Sequence, residues 1–277
     1  MNANQQQHEH WNQGEAMHWV EQADRYDRQL EPFARLLLDA ARITAEHDVL
    51  DVGCGCGATT IAAAHVARHA TGADISAPML DVARGRAAEF DNCDFVLADV
   101  QTADLGTSAY DRIISRFGVM FFDDPAAAFA RLHAALRAGG RLAFVSWQPL
   151  VANEWLFVPG VAAAAHVALP DVGDDGGPGM FSLSDPERLH VLLTGAGFTD
   201  VNADPIEPSI QIGGGGTLDD TLDFLLGTGI ARALLEPADP EARALAIDAV
   251  REALRNHYQP NVGVTLGTGA WLVTASA

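Results

Sequence analysis

The sequence predicts an α/β fold in which helices cover a mostly parallel sheet. Short apolar runs alternate with segments of helical periodicity from residue 49 to residue 147, and this order is typical of parallel strands joined by crossover helices. A glycine-rich turn separates the first strand from the first of these helices. With 277 residues, 48% of them hydrophobic, the chain is long enough to bury a full core without crosslinks.

The first predicted element is a helical segment ahead of the sheet. Apolar residues recur at helical spacing from residue 14 to residue 43, and Pro32 predicts a break between two helices. We therefore assign residues 1–45 to an N-terminal helical cover and residues 46–277 to the main domain.

The alternating block comes next. Its predicted strands cover residues 49–52, 69–74, 93–99, 110–117 and 141–147, and its predicted helices cover residues 58–68, 77–88 and 125–137. Asp123 and Asp124 precede a proline, a position typical of helix N-caps.

The regular alternation ends after residue 147. Residues 148–182 are rich in proline and glycine and predict an insertion around one short helix. Asp185 then caps a helix that ends near Gly195, and a strand follows at residues 199–203. Helices are predicted at 217–230 and 238–257, within a second insertion at 205–262. The last strand, 270–275, follows helices and must return to the sheet.

The glycine turn runs Asp51-Val-Gly53-Cys54-Gly55-Cys-Gly57-Ala. Such a turn lets a ligand approach the backbone and the positive end of the next helix. Its spacing fits both the dinucleotide pattern G-x-G-x-x-A and a nucleoside-binding pattern G-x-G-x-G, so the turn leaves both ligands open. Asp74, at the end of the second strand, is placed to accept hydrogen bonds from ribose hydroxyls with either ligand.

Asp99 favours one of these two ligands. It ends the third strand beside the same crevice, where a carboxylate can accept a hydrogen bond from an adenine amine. The segments 110–117 (YDRIISRF) and 136–145 (LRAGGRLAFV) follow at ordinary spacing. From residue 49 to residue 147 the chain resembles the class I S-adenosylmethionine-dependent methyltransferases, in particular those of ubiquinone and menaquinone biosynthesis and related bacterial natural-product enzymes.

The resemblance implies a Rossmann-like, seven-stranded sheet that is mostly parallel, with an antiparallel last strand and added helical cap elements. It also implies that the N-terminal cover and the insertions 148–182 and 205–262 form a cap over a small-molecule methyl acceptor. The donor is expected to be S-adenosyl-L-methionine, which leaves S-adenosyl-L-homocysteine as the product. The residues expected to form or support the donor site are Asp51, Gly53, Cys54, Gly55, Gly57, Asp74, Ile75, Met79, Asp99, Val100, Ser115, Arg116 and Phe117.

Methyl transfer from a sulfonium needs an aligned donor and acceptor in a dry pocket, and a general base is optional. His18 and His166 lie in segments expected to face the acceptor, and they are the candidate bases. Trp11, Trp19, Trp147 and Trp155 are candidates for core packing, and two of them for the pocket mouth. We expect no metal, because His8, Glu9 and His10 have no third ligand placed by sequence.

Charge and composition exclude several function classes. The net charge is −20, all 17 basic residues are arginine, and the absence of lysine excludes lysine nucleophiles and a Walker-type phosphate lysine. We expect no binding to nucleic acid and no signal peptide or membrane span. The three cysteines predict a reducing, cytoplasmic setting. A homodimer is left open, as are a nicotinamide-dependent oxidoreductase and a non-catalytic binding module as alternative functions.

Overall fold

The computed structural model describes residues 5–169 and 177–277, so residues 1–4 of the predicted cover and 170–176 of the predicted insertion lie outside the described residues. The described strands are β1 (Asp48–Val52), β2 (His69–Asp74), β3 (Cys93–Leu97), β4 (Tyr110–Arg116), β5 (Leu136–Trp147), β6 (Thr199–Ile206), β7 (Ile210–Gln211), β8 (Tyr258–Gln259), β9 (Gly263–Leu266) and β10 (Ala270–Ser276).

Seven strands form the central sheet in the order β3-β2-β1-β4-β5-β10-β6. The strands β3, β2, β1, β4 and β5 pair in parallel, and β10 lies antiparallel to both β5 and β6. In β1, Val49, Leu50 and Val52 are all buried, as expected of a parallel strand covered on both faces. The prediction of a mostly parallel sheet whose last strand is antiparallel is confirmed.

The described helices are α1 (Gln5–His10), α2 (Gly14–Glu21), α3 (Ala23–Ala41), α4 (Ala58–Ala64), α5 (Ala77–Arg86), α6 (Pro125–Ala135), α7 (Glu154–Ala164), α8 (Pro186–Gly195), α9 (Leu218–Leu226), α10 (Gly229–Leu235) and α11 (Pro240–Arg255). Asp124 and Asp185 cap α6 and α8 through their side chains, and a proline begins each helix. These two caps match the sequence-based prediction.

The N-terminal cover breaks at a different residue from the one predicted. Helix α3 continues through Pro32, and the break lies at Gln22, between α2 and α3. Burial explains the continuity, because Leu30, Phe33 and Leu37 are buried on the face of α3 that packs toward β4 and β5. That burial outweighs the single helical hydrogen bond that proline cannot donate.

The second insertion contains elements that the sequence analysis missed. The predicted helix 217–230 is two helices, α9 and α10, because Thr228 caps a new helix and accepts a hydrogen bond from the Ala231 N–H. Strands β7, β9 and β8 form a small antiparallel sheet beside these helices. Since β9 begins at Gly263, this sheet extends past the predicted boundary at residue 262.

Candidate active site

A cavity of about 680 Å³ lies at the carboxyl ends of β1, β2 and β4. Open α/β sheets bind ligands at this edge, where the loops after the strands leave a crevice. The opposite wall comes from α2, α3, α7, α9, α10 and α11. The volume is within the range of about 300–1,000 Å³ that is usual for small-molecule sites.

The glycine turn forms one wall of the cavity. The Gly53 N–H donates to the Ala73 carbonyl at 2.8 Å, which fixes the turn against β2. Gly55 has φ = +54°, and a Cβ built there meets no atom nearer than the Met79 Sδ, at 3.7 Å. The cavity therefore lies directly against the Gly55 backbone, so a ligand can approach it closely.

Asp74 holds the turn and also faces the cavity. Its carboxylate accepts hydrogen bonds from the Gly55 N–H at 2.7 Å and the Ser76 N–H at 2.8 Å. Burial raises its pKa, while these backbone donors act in the opposite direction. Because each carboxylate oxygen can accept a second hydrogen bond, Asp74 retains acceptor capacity toward a ligand hydroxyl.

Asp99, in the loop after β3, also lines the cavity. One of its oxygens accepts a hydrogen bond from the Gln101 N–H at 3.0 Å. Apolar side chains from Ile75, Met79 and Val100 line the cavity with these two carboxylates. The arrangement offers flat apolar contacts and hydrogen-bond acceptors, which suits an adenosine group.

Arg116 ends β4, Phe117 follows it, and both line the cavity. The Arg116 guanidinium lies 3.7 Å from the Asp27 carboxylate, which also accepts a hydrogen bond from Arg86 at 2.8 Å. Burial lowers the pKa of Arg116. The Phe117 ring stacks on Trp147 with centroids 3.9 Å apart. Arg116 thus places a positive charge beside the glycine turn, where it can bind a carboxylate of a ligand.

Three predicted donor-site residues lie behind the cavity wall. Asp51 is fully buried, and one of its oxygens accepts hydrogen bonds from the Thr59 and Thr60 hydroxyls at 2.6 and 2.7 Å. Its other oxygen has no partner, and burial raises its pKa to about 6. This geometry anchors the turn to α4, so Asp51 supports the donor site by orienting the glycine turn.

Ser115 and Gly57 likewise support the turn from behind. The Ser115 hydroxyl donates to the Val52 carbonyl at 2.7 Å and accepts from the Gly118 N–H at 3.2 Å. A Cβ at Gly57 would lie 2.9 Å from both the Ala83 Cβ and the Phe95 ring. Gly57 is therefore needed for packing against α5 and β3.

The two candidate bases do not line the cavity. His18 is buried among aromatic rings, including Tyr26 and Phe224, and its Nε2 has no hydrogen-bond partner. Burial lowers its pKa. His166 is exposed in the turn after α7. Their segments border the cavity, but the position of His18 on α2 directs it into the N-terminal cover, and His166 lies exposed beyond the end of α7. Neither side chain is therefore placed to act as a base in the cavity.

The N-terminal cover contributes residues that the sequence analysis missed. The Asn12 side chain donates to the Ile75 carbonyl at 2.9 Å and accepts from the Ala77 N–H at 3.0 Å. These bonds tie the cover to the end of β2. Glu15, Tyr26 and Phe224 also line the cavity, together with the four tryptophans noted in the sequence. The tryptophans were the one feature of the sequence that indicated these lining residues, because the other contacts join segments that are distant in the sequence.

The comparisons with known proteins show the family of this chain. A family model described as a methyltransferase domain matches residues 49–140. A trans-aconitate 2-methyltransferase from Methylobacterium radiotolerans is 30% identical over 241 residues, which cover 83% of this chain and 84% of that protein. The chain belongs to the class I S-adenosylmethionine-dependent methyltransferases. Membership in this family decides between the two ligands of the glycine turn in favour of S-adenosylmethionine.

Other relatives match a smaller part of this chain. Aklanonic acid methyltransferase DauC from Streptomyces sp. strain C5 is 32% identical over 120 residues, which cover 42% of this chain and 54% of that protein. Uncharacterised mycobacterial methyltransferases are 34% identical over 40% of this chain and 56% of their own length. The chain thus spans about half the length of these curated relatives.

Solved structures share the methyltransferase fold. YcgJ from Bacillus subtilis superposes with a TM-score of 0.57 at 19% identity, covering 89% of this chain and 98% of that one. A phosphoethanolamine N-methyltransferase from Haemonchus contortus, in complex with S-adenosylhomocysteine, gives a TM-score of 0.53 at 16% identity, covering 88% of this chain and 52% of that one. These likenesses support the fold.

Proposed function

We propose that this protein transfers a methyl group from S-adenosylmethionine to a small-molecule acceptor in the cavity. One observation carries the proposal: the glycine turn, Asp74 and Asp99 share a single cavity with helices of the N-terminal cover and of the two insertions, which we together call the cover. A donor held at the strand ends would therefore face an acceptor held under the cover. The bound donor supplies an electrophilic methyl group attached to a positively charged sulfur.

The residues of the chain bind, orient and exclude water. Asp74 and Asp99 offer acceptors for the ribose and adenine of the donor, and Arg116 offers a cation for its carboxylate. The aromatic side chains of the cover limit the access of water to the reacting atoms. With His18 and His166 outside the cavity, we propose catalysis by proximity and alignment of an acceptor that is already nucleophilic.

Binding of the donor product tests the first half of this proposal. Calorimetry should show binding of S-adenosylhomocysteine and none of NAD. Asp74→Ala should weaken the former about 10- to 100-fold, since hydrogen bonds to a charged group contribute about 1.5–3 kcal/mol. Asp104→Ala is the matched control, because Asp104 is an exposed carboxylate outside the cavity that also accepts a backbone hydrogen bond, from the Gly106 N–H at 2.9 Å. Binding of NAD in place of S-adenosylhomocysteine would refute the proposal.

Methyl transfer to members of a metabolite panel tests the second half. Transfer to any of them would separate an enzyme from a binding module that keeps the fold without catalysis. Donor binding without transfer to any panel member would favour the binding module.

We also propose a cytoplasmic location. All three cysteines are free and buried, which suits a reducing compartment. In the ranges that the structure describes, no helix is both long and apolar enough to cross a membrane.

A further inference from the structure

The part of the cavity under α7, α10 and α11 is apolar. Thr228, the N-cap of α10, is the one polar side chain that this region contributes among the described residues. The region is lined mainly by aliphatic and aromatic side chains, among them Leu156, Phe157, Val161, Ile230, Leu234 and Ile247. We call this region the apolar compartment.

The acidic and basic side chains that line the cavity come from other elements. Among the described residues they lie in the N-terminal cover, at the ends of β2 and β4 and in the loop after β3, and they are His10, Glu15, Asp27, Asp74, Asp99 and Arg116. Glu15 borders the apolar compartment, because its carboxylate pairs with Arg232 of α10 at 3.0 Å and lies beside Gly229. The other acidic and basic lining residues lie on elements other than α7, α10 and α11, and we call the part of the cavity at the strand ends the donor side. A polar or charged acceptor body would lose its hydration in the apolar compartment without gaining hydrogen bonds, which is costly.

Large apolar side chains of α7 and α10 are left uncovered by the protein. Phe157, Val161 and Ile230 line the cavity and are 45%, 54% and 36% exposed. Uncovered apolar side chains of this kind are typical of ligand-binding surfaces. The compartment therefore offers apolar contact area to a ligand.

We propose that the methyl acceptor is a lipophilic small molecule whose hydrocarbon or aromatic body occupies the apolar compartment, with its reacting group toward the donor side. That this ligand is a methyl acceptor rests on the proposed function. Binding of an apolar ligand in the compartment can be measured without any reaction. It also assigns α7 and α10 the role of determining substrate specificity.

Gly160 offers a direct test of the compartment. It lines the cavity within α7, and a Cβ built there meets no atom within 4 Å, so a larger side chain can extend into open space without strain in the protein. The neutral dye N-phenyl-1-naphthylamine should bind to the protein saturated with S-adenosylhomocysteine, with increased fluorescence. Gly160→Phe should weaken dye binding at least about tenfold, because the ring takes the space of the ligand.

Gly85→Phe is the matched control. Gly85 also lies within a helix with no atom within 4 Å of a built Cβ, but it is exposed on α5 outside the cavity. This variant should bind dye and S-adenosylhomocysteine as the original protein does.

Thr228→Asp gives a second test, because aspartate retains a good N-cap for α10 while it adds a charge to the compartment. It should also weaken dye binding, whereas Thr228→Ser should not.

A series of alkylphenols then tests the substrate class. Each added methylene should increase their ability to displace the dye by up to about fourfold until the compartment is full. Displacement that does not change with chain length, unchanged dye binding in Gly160→Phe and Thr228→Asp, or dye binding that is lost when S-adenosylhomocysteine saturates the protein would each overturn the inference. Failure of S-adenosylhomocysteine to bind, with dye binding intact, would instead refute the proposed function alone.

Discussion

Gly55 is the residue at which backbone conformation and ligand space coincide. Its φ of +54° and the open space beside it mean that a side chain would enter the cavity. Gly55→Val should abolish binding of S-adenosylhomocysteine in calorimetry, because the branched side chain fills the donor space. The strain of a positive φ should lower the free energy of unfolding by about 1–3 kcal/mol and leave the protein folded.

Gly139→Val separates these two effects. Gly139 has φ = +77° and open space around a built Cβ, but it lies outside the cavity. It should lose a similar amount of stability and keep the affinity for S-adenosylhomocysteine. Equal affinity in both valine variants would mean that the donor does not bind against Gly55.

Asp51 predicts a pH dependence of stability. Burial raises its pKa in the folded protein to about 6, above the 3.8 expected of an aspartate in the unfolded chain. The folded state therefore binds this proton more tightly, and the free energy of unfolding should increase as the pH falls from about 6 to about 4. Asp51 can contribute about 3 kcal/mol at most, since one pKa unit corresponds to about 1.4 kcal/mol.

Urea unfolding at pH 4.5 and pH 7 measures this effect in the protein and in Asp51→Asn. The asparagine does not titrate, so its stability should depend less on pH in this range. Other acidic groups titrate in both proteins and cancel in the comparison. An identical pH dependence in the two proteins would show that Asp51 has an ordinary pKa.

Strand ends could be located from the sequence, but the direction of individual side chains could not. Asp74 ends β2, Asp99 lies two residues after the end of β3, and both line the cavity, whereas Asp51 is turned into the protein by the hydroxyls of Thr59 and Thr60. Nothing in a local pattern distinguishes these two outcomes. Asn12 was missed for a related reason, since its bonds reach a strand end 63 residues away.

At the scale of elements, one ion pair joins the two halves of the cover. The Arg232 guanidinium on α10 bonds to the Glu15 carboxylate on α2 at 3.0 Å and also to the Gly227 carbonyl. Arg232→Leu should speed hydrogen exchange in α2 and α10 about fivefold, which corresponds to about 1 kcal/mol in the free energy of opening. Arg84→Leu removes an exposed pair with Asp81 on α5 and should leave both helices unchanged. Equal exchange in the two variants would show that the Glu15–Arg232 pair does not hold the cover closed.

The parallel strands and their crossover helices were predictable because each follows a regular apolar period. The cover was less predictable because tertiary packing overrides its local signals. Pro32 lies within a continuous helix because the buried face of α3 compensates for the lost hydrogen bond. Strands β7 and β8 have two residues each, and their pairing with β9 depends on the surrounding helices, so no period reveals them.

At the scale of the whole molecule, the cover and the sheet close on one cavity, and a ligand bound there must hold them together. A bound ligand makes the openings of α2 or α7 that release it rarer. The factor is one plus the ratio of the ligand concentration to Kd, which is about 100 when the ligand concentration is 100 times Kd. S-adenosylhomocysteine should therefore slow hydrogen exchange in the glycine turn and in α2, α3 and α7. In short exposures, where exchange proceeds by local opening, α6 should change little because none of its residues lines the cavity.

The distribution of this protection tests whether the cover controls access to the donor site. A donor crevice bounded only by the strand ends would protect the glycine turn and leave α2 and α7 exchanging as before. That result would contradict a closing role for the cover, and the acceptor would then have to reach the methyl group from an open face. Protection spread over both sides of the cavity, with α6 unchanged, is expected because residues from α2, α3 and α7 line the same cavity as Gly55 and Asp74. Methyl transfer itself needs this closure, since water must be kept from the reacting atoms while the acceptor is aligned.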